Sequence, residues 1–436
     1  SRDSIYWLQI RNLPLRSEEI VSYKKKDSLD IKFKQLSDSR DTSGGKSGSW
    51  FGKVVFGDRV DFGKKYRFEY GGLLQSVLKE YNFVDGVWLG QKLAFGVDFA
   101  NKHSLTVSPS VHYVTAREAV NWQVTGTYGY APLKNGRFII SGGNSTFDFD
   151  RIGGISRLVN SLFSLYAAQN SVKFYQKRYL EASNRIDAAN GFFITANVGF
   201  EKRNSLENKM SYNFFGKEPS PNLPEGQLDP MPDNTLTRIA LQLDYTPRYR
   251  YRIREGRKLY AYSKYPTFTF KYEKGIATDN SSASFDRAEL GVRQEMEFNL
   301  FNKLEYSIST GTFLSSKRVY FPDFKHNSSN ELFFTTNPLS NSFCMTNYSY
   351  STDKSWIQMH LSYTSAYLFI KNLPFLQKYL FDESLYARTL WIPGVNYSEF
   401  GYSLGLFKAV EAGVFVGFKE ARYEAVGFTL SMPLNF

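Results

Sequence analysis

The chain has 436 residues, with 54 Lys plus Arg against 42 Asp plus Glu and a formal net charge of +12. Its 6 Trp, 30 Tyr and 38 Phe exclude a largely disordered chain, in which aromatics are scarce. No run of about 18 apolar residues occurs and the mean hydropathy is −0.39, so a polytopic helical membrane protein is excluded as well.

Residues 1–49 read as a helical segment and linker. Ser17 suits an N-cap, Glu18 and Glu19 a first helical turn, and a polar helix runs through Lys24 to about Gln35. The composition of Ser37 to Ser49 is that of a flexible linker. Gly44, Gly45, Lys46 and Ser47 imitate the end of a phosphate loop, but Arg40 stands where its first glycine belongs and no strand precedes it.

From about Trp50 to Phe436 the dominant signal has a period of two, because successive side chains of a strand point to opposite faces. Val87, Leu89, Leu93, Phe95, Val97 and Phe99 alternate with Gly90, Lys92, Ala94, Gly96 and Asp98. Leu105, Val107, Val111 and Tyr113 continue the pattern, followed by Val120, Trp122, Val124, Tyr128 and Tyr130.

Two stretches interrupt it. Residues 154–169 carry Ile155, Leu158, Val159, Leu162, Phe163 and Tyr166 at helical spacing, which predicts an amphipathic insert at the membrane interface, over a barrel mouth or packed as a plug. Phe215 to Asn234 holds five prolines and two glycines and reads as a loop.

Leu290, Val292, Met296, Phe298 and Leu300 then oppose Arg287, Glu289, Arg293, Glu295 and Glu297, a face too charged for the interior of a soluble sandwich. Those five charged residues are the candidate lumen lining. Ile357, Met359, Leu361, Tyr363, Tyr367 and Phe369 repeat the alternation. Residues 368–381 combine apolar side chains with lysines, so Lys371, Phe375, Lys378 and Tyr379 are expected at a lipid interface. In the last strand Val426, Phe428, Leu430, Met432, Leu434 and Phe436 share one face. This resembles the C-terminal assembly signal of bacterial outer-membrane barrels.

Strand segments of ten to sixteen residues exceed the five or six usual in globular proteins and match what a tilted transmembrane strand requires. The fold class expected is all-β: a transmembrane antiparallel β-barrel of about 16 strands, within a range of roughly 14 to 18, over residues 50–436. A water-soluble sandwich is the competing reading, opposed by strand length and aromatic load.

Tyr6-Trp7 with Arg11, Pro14-Leu15, Glu19 and Tyr23, then Asn82-Phe83-Val84-Asp85-Gly86, Phe174-Tyr175-Gln176-Lys177-Arg178-Tyr179-Leu180, Phe321-Pro322-Asp323-Phe324-Lys325-His326 and the 371–380 stretch carry a family resemblance. The chain resembles a Bacteroidota outer-membrane barrel family of unassigned function that usually carries an N-terminal carboxypeptidase-like regulatory domain. The resemblance implies a larger precursor with a signal peptide and a small β-sandwich, and it supplies no catalytic residue.

The four histidines, His103, His112, His326 and His360, form no HExxH spacing, and the lone Cys344 has no CxxC partner, so no metal or other cofactor is expected. Asp323 and His326 are the one acid–base pair to inspect for a rim hydrolase, although no GxSxG motif accompanies them. Gly136-Arg137-Phe138 has the wrong order for the Arg-Gly-Phe lid of barrel-type insertion machines. The positive excess suits outer-membrane lipid and lipopolysaccharide, and its dispersal through the strands argues against nucleic acid. The function expected is that of a non-enzymatic component of an envelope-biogenesis or protein-export complex in the bacterial outer membrane, with protein partners. A solute channel with a charged lumen and a rim-located hydrolase are the alternatives.

Overall fold

The computed structural model describes residues 50–436 except 64, 74–79, 151–153, 300–301, 367, 371–380, 407–409 and 433–436. The predicted helix and linker of residues 1–49, with Ser17, Glu18 and Glu19, therefore lie outside the described residues, as do Lys371, Phe375, Lys378, Tyr379, Leu434 and Phe436. The chain divides into two compact units, the second running from Val55 to Phe436 and holding every described strand.

Helix α1 (Trp50–Phe56) is followed by β1 (Asp58–Phe62), β2 (Tyr66–Tyr70), β3 (Tyr81–Asn82), β4 (Gly86–Asp98), β5 (Ser104–Val114), β6 (Ala119–Tyr130) and β7 (Gly136–Asp148). Helix α2 (Arg157–Ala167) leads to β8 (Phe174–Ala189), β9 (Phe192–Ser205), β10 (Asn234–Tyr245), β11 (Arg250–Arg254), β12 (Arg257–Tyr262), β13 (Thr267–Ile276), β14 (Ser284–Glu297) and β15 (Asn302–Arg318). After β16 (Phe334–Thr335) come β17 (Trp356–Ser365), β18 (Phe381–Ile392), β19 (Val395–Leu406), β20 (Val410–Lys419) and β21 (Arg422–Ser431).

The fold is all-β. One sheet contains nineteen strands, joined antiparallel in meander order, and β11 and β12 form a separate two-stranded sheet. The count exceeds the expected sixteen partly because β3 and β16 are two-residue strands contributed by inserts. Among the described residues no ladder joins β1 to β21; instead β16 pairs parallel with β21 through Phe334 and Leu430.

The alternation read in the sequence becomes a division between two faces of this sheet. Leu180, Val198, Leu290 and Phe428 are more than half exposed, at 63%, 53%, 58% and 53%. The opposite face is buried and charged, with Glu201 and Arg203 on β9, Arg388 on β18 and Glu399 on β19. A water-soluble sheet does the reverse, since burial of apolar area is its main driving force.

The two ends of the sheet also differ. At one end, short turns such as 131–135 and 190–191 join successive strands beside the longer connections 246–266 and 366–380, and β21 runs toward this turn end. At the other, the insert end, lie the long connections 149–173, 206–233 and 319–355.

Helix α2 occupies the predicted insert 154–169, and its N-cap Ser156 accepts a hydrogen bond from Val159 N at 3.3 Å. Val159, Asn160, Ser161 and Ser164 are buried, while Leu158, Leu162 and Tyr166 are exposed. The polar side wins burial because its groups find partners: Ser161 Oγ accepts from Tyr81 N at 2.9 Å, and Asn160 Oδ1 accepts from Val172 N at 2.9 Å.

Candidate functional site: the occupied interior of the sheet

The connection between β15 and β17, residues 319–355, lies against the charged face. It has little regular structure of its own, only three short 3-10 turns and β16. Its position is set by ion pairs and hydrogen bonds to strands far away in sequence.

Arg203 of β9 is fully buried between Glu201, at 2.8 Å, and Asp323 of the insert, at 2.7 Å. Arg287 of β14 donates to the Asp323 carbonyl oxygen at 3.1 Å and also to the Glu273 carboxylate. Lys325 of the insert reaches Glu289 at 3.2 Å, and Lys271 approaches the same carboxylate at 3.6 Å. Burial holds the Lys325 ammonium below its ordinary lysine range, against the opposing pull of Glu289. The ladder extends sideways through Arg238, which lies 3.1 Å from Glu181 and 3.8 Å from Glu273.

A second clamp holds the far half of the insert. Arg388 pairs with Glu399 and donates to the Leu339 carbonyl oxygen. Glu399 accepts from Cys344 N at 3.0 and 3.1 Å and from Tyr397 OH at 3.1 Å. Tyr350 OH donates to Glu424 of β21 at 3.0 Å. Burial pushes the Cys344 thiol up to about 11.

The aromatic packing agrees with the charges. Phe321 meets Phe149 at 5.3 Å between ring centroids, and Phe149 meets Tyr175 at 4.9 Å. Phe149 thus bridges two of the sequence motifs that carried the family resemblance at the junction of insert and wall. A third, Asn82 to Gly86, is a buried turn in which Asn82 Oδ1 accepts from Val84 N and Asp85 N, at 3.0 and 2.8 Å. Asp85 binds Arg117 Nε at 2.6 Å. Gly86 has φ +71°, where side chains are disfavoured.

Of the candidate lumen residues, Arg287 and Glu289 hold the insert, whereas Arg293, Glu295 and Glu297 line a chamber of about 1360 Å³ at the turn end. Pro338 and Ser340 of the insert also line it, and Lys303 bridges Glu295 at 2.9 Å. Along β21, Val426 and Phe428 point to the exposed face, while Leu430 N donates to Phe333 O at 2.7 Å and Met432 N to Thr335 O at 2.9 Å. The start of the predicted interfacial segment is held by Glu383, which accepts from the backbone N–H groups of Leu368, Phe369 and Ile370 at 3.1, 2.8 and 3.1 Å.

Asp323 and His326, the acid–base pair singled out by the sequence, each have partners in the insert and the wall. Asp323 faces Arg203, while His326 Nε2 donates to Phe321 O at 2.9 Å and Nδ1 accepts from Ser351 Oγ at 2.8 Å. Both side chains serve the conformation of the insert. Among the described residues no three His, Cys, Asp or Glu side chains are grouped to hold a metal ion. Arg203, Arg388 and Glu399 were missed by sequence reasoning. Arg388 and Glu399 sit at matching positions of the β18–β19 hairpin, so opposite charges at symmetric distances from its turn were a usable signal.

The profile of a family of unknown function, DUF5686, matches its C-terminal domain to residues 52–404. The chain belongs to this family. No curated protein matches it. Solved structures with similar chain courses include BamA from Haemophilus ducreyi lacking POTRA domains 1–3, at 10% identity over 90% of this chain and 77% of that one, with a TM-score of 0.43. CdiB from Acinetobacter baumannii is similar at 10% identity over 79% of this chain and 56% of its own, with a TM-score of 0.36. A mutant Rh. blastica porin is similar at 9% identity over 79% and 89%, with a TM-score of 0.32.

Proposed function

We propose that this member of the DUF5686 family is an integral outer-membrane β-barrel that serves, without catalysing a reaction, in an envelope-biogenesis or protein-export and assembly complex. The observation that carries the reading is the inverted burial of the sheet: apolar outside, charged inside. A sheet in lipid has that distribution, because hydrocarbon accepts the apolar face while the polar face needs water or partners. Strands of 10 to 17 residues from β4 through β10 and from β13 through β15 reach the length a tilted crossing needs.

The occupied interior favours an assembly component over an open pore. Residues 319–355 fill the charged face through buried ion pairs, and an uncompensated buried charge is costly to expose by breaking one partner. Gentle extraction, crosslinking and mass spectrometry test the reading: stoichiometric envelope proteins support it, and a solitary barrel counts against it.

The chamber lined by Arg293, Glu295 and Glu297 favours a second reading, a solute channel gated by the insert. Planar bilayers separate the two. A silent wild-type chain supports the assembly reading, and steady conductance altered by Arg293→Glu supports transport.

A further inference from the structure

The β11–β12 arm lends Ala261, Tyr262 and Lys264 to the lining of the turn-end chamber, but its arginines play no part in the site above. Between Arg248 and Tyr265 the chain carries Arg248, Arg250, Arg252, Arg254, Arg257, Lys258 and Lys264 against Glu255 alone, a net of +6 and half of the formal +12, so the positive excess is not dispersed through the strands as expected above. Aromatic and aliphatic residues are interleaved with these cations, and Tyr251, Ile253, Leu259 and Tyr262 are exposed. Arg248 stacks over Tyr265 and Arg250 over Tyr262, at 5.5 and 5.2 Å.

This arm does not project freely. Lys258 Nζ lies 2.6 Å from Asp187, Tyr260 OH donates to the same carboxylate at 2.6 Å, and Asn190 Nδ2 donates to Tyr249 O at 3.0 Å. Lys258 N donates to Pro132 O at 3.2 Å, and Lys102 Nζ to the Glu255 carbonyl oxygen. The arm is therefore laid across the turns that follow β4, β6 and β8. At its roots Tyr245 and Phe268 are register partners on the exposed face, and Phe99, Tyr128 and Phe298 are exposed aromatics near the turn-end termini of β4, β6 and β14. Outward aromatics near strand ends are what a barrel presents where it meets headgroups.

We infer that the β11–β12 arm binds the phosphate-bearing headgroups of anionic phospholipids in the leaflet at the turn end, anchoring the barrel there. The chemistry is that of arginine: a planar donor fork that matches phosphate oxygens, on a strand that also exposes Tyr251 and Ile253 for contact with an apolar boundary. Short turns face the periplasm in barrels of this class, where the leaflet is phospholipid. The inference rests on the membrane reading proposed above.

The test uses the full chain in detergent, offered phosphatidylglycerol and phosphatidylcholine together, with retained lipids counted by native mass spectrometry. Wild type retains phosphatidylglycerol preferentially, and the triple variant Arg250→Gln, Arg252→Gln, Arg254→Gln lowers that preference about tenfold or more. Lys258 is left intact so the arm stays docked, and a heat-dependent gel shift verifies the folded barrel. Equal retention of both lipids, an unchanged preference in a folded variant, or displacement of the lipid by excess inorganic phosphate overturns the inference. Tighter retention of lipopolysaccharide or of poly-glutamate, with the same arginine dependence, also overturns it. A chain that is monodisperse without detergent would sink the membrane reading itself, whereas a detergent-requiring barrel without lipid preference removes the arm's role alone.

Discussion

Arg203 and Asp323 are 120 residues apart in the chain and 2.7 Å apart in the molecule, and both side chains are buried. That contact is one of those that join the wall to its insert, and it shows charge pairing at work beside apolar packing. Residues 319–355 also bury Phe321, Leu339, Phe343 and Tyr350 against Phe149, Phe415, Leu390 and Tyr397, so apolar packing and specific charge pairing together fix their course.

The second clamp gives the corresponding energetic test. Arg388→Met leaves Glu399 buried without its cation, which costs about 3–5 kcal/mol. Combining it with Glu399→Leu removes the orphaned charge and recovers part of that loss, leaving Cys344 N without its acceptor. Urea midpoints of the single and double variants in detergent check this, and a double variant no better than the single one refutes it.

Cys344 is the only cysteine of the chain and lies in the insert, so it reports whether the insert stays in place. Native protein is expected to resist maleimide, and Arg388→Met to be labelled readily. The thiol's raised pKa also sets a pH window. The unfolded thiol ionises near 9 while the folded one holds its proton to about 11, so stability from this group falls as pH rises between those values. Cys344→Ser should flatten the stability profile between about pH 9 and 11.

Leu290 separates a lipid-facing wall from a soluble surface. At 58% exposure a soluble protein would tolerate Leu290→Arg with a change within about 0.5 kcal/mol. On a lipid face the same change costs about 2–4 kcal/mol near the midplane. Folding yield into lipid vesicles decides between them, and wild-type yield would argue against lipid contact.

Gly86 should be intolerant. Its φ of +71° and the Ala116 nitrogen, 2.9 Å from where a Cβ would stand, make Gly86→Ala costly by about 1 kcal/mol or more. Thermal unfolding of the purified variant measures it, and an unchanged midpoint would show that the turn relaxes.

The period-two alternation was enough to determine the all-β class, the long strands and which side chains share a face, because backbone pleating enforces it locally. Helix α2 was legible in position from its spacing, but the partners of its buried polar residues were not. Burial of Asn160 and Ser161 depends on Val172 and Tyr81, which only the folded chain brings near. The course of residues 319–355 was illegible for the same reason. That segment has no period to read, and its anchors on β9, β14, β18 and β21 are strands whose proximity arises only when the meander has formed. Local chemistry thus determined what each strand shows to either side, while the tertiary structure decided what the charged side holds, since ion pairs are chosen by distance in space and not along the chain.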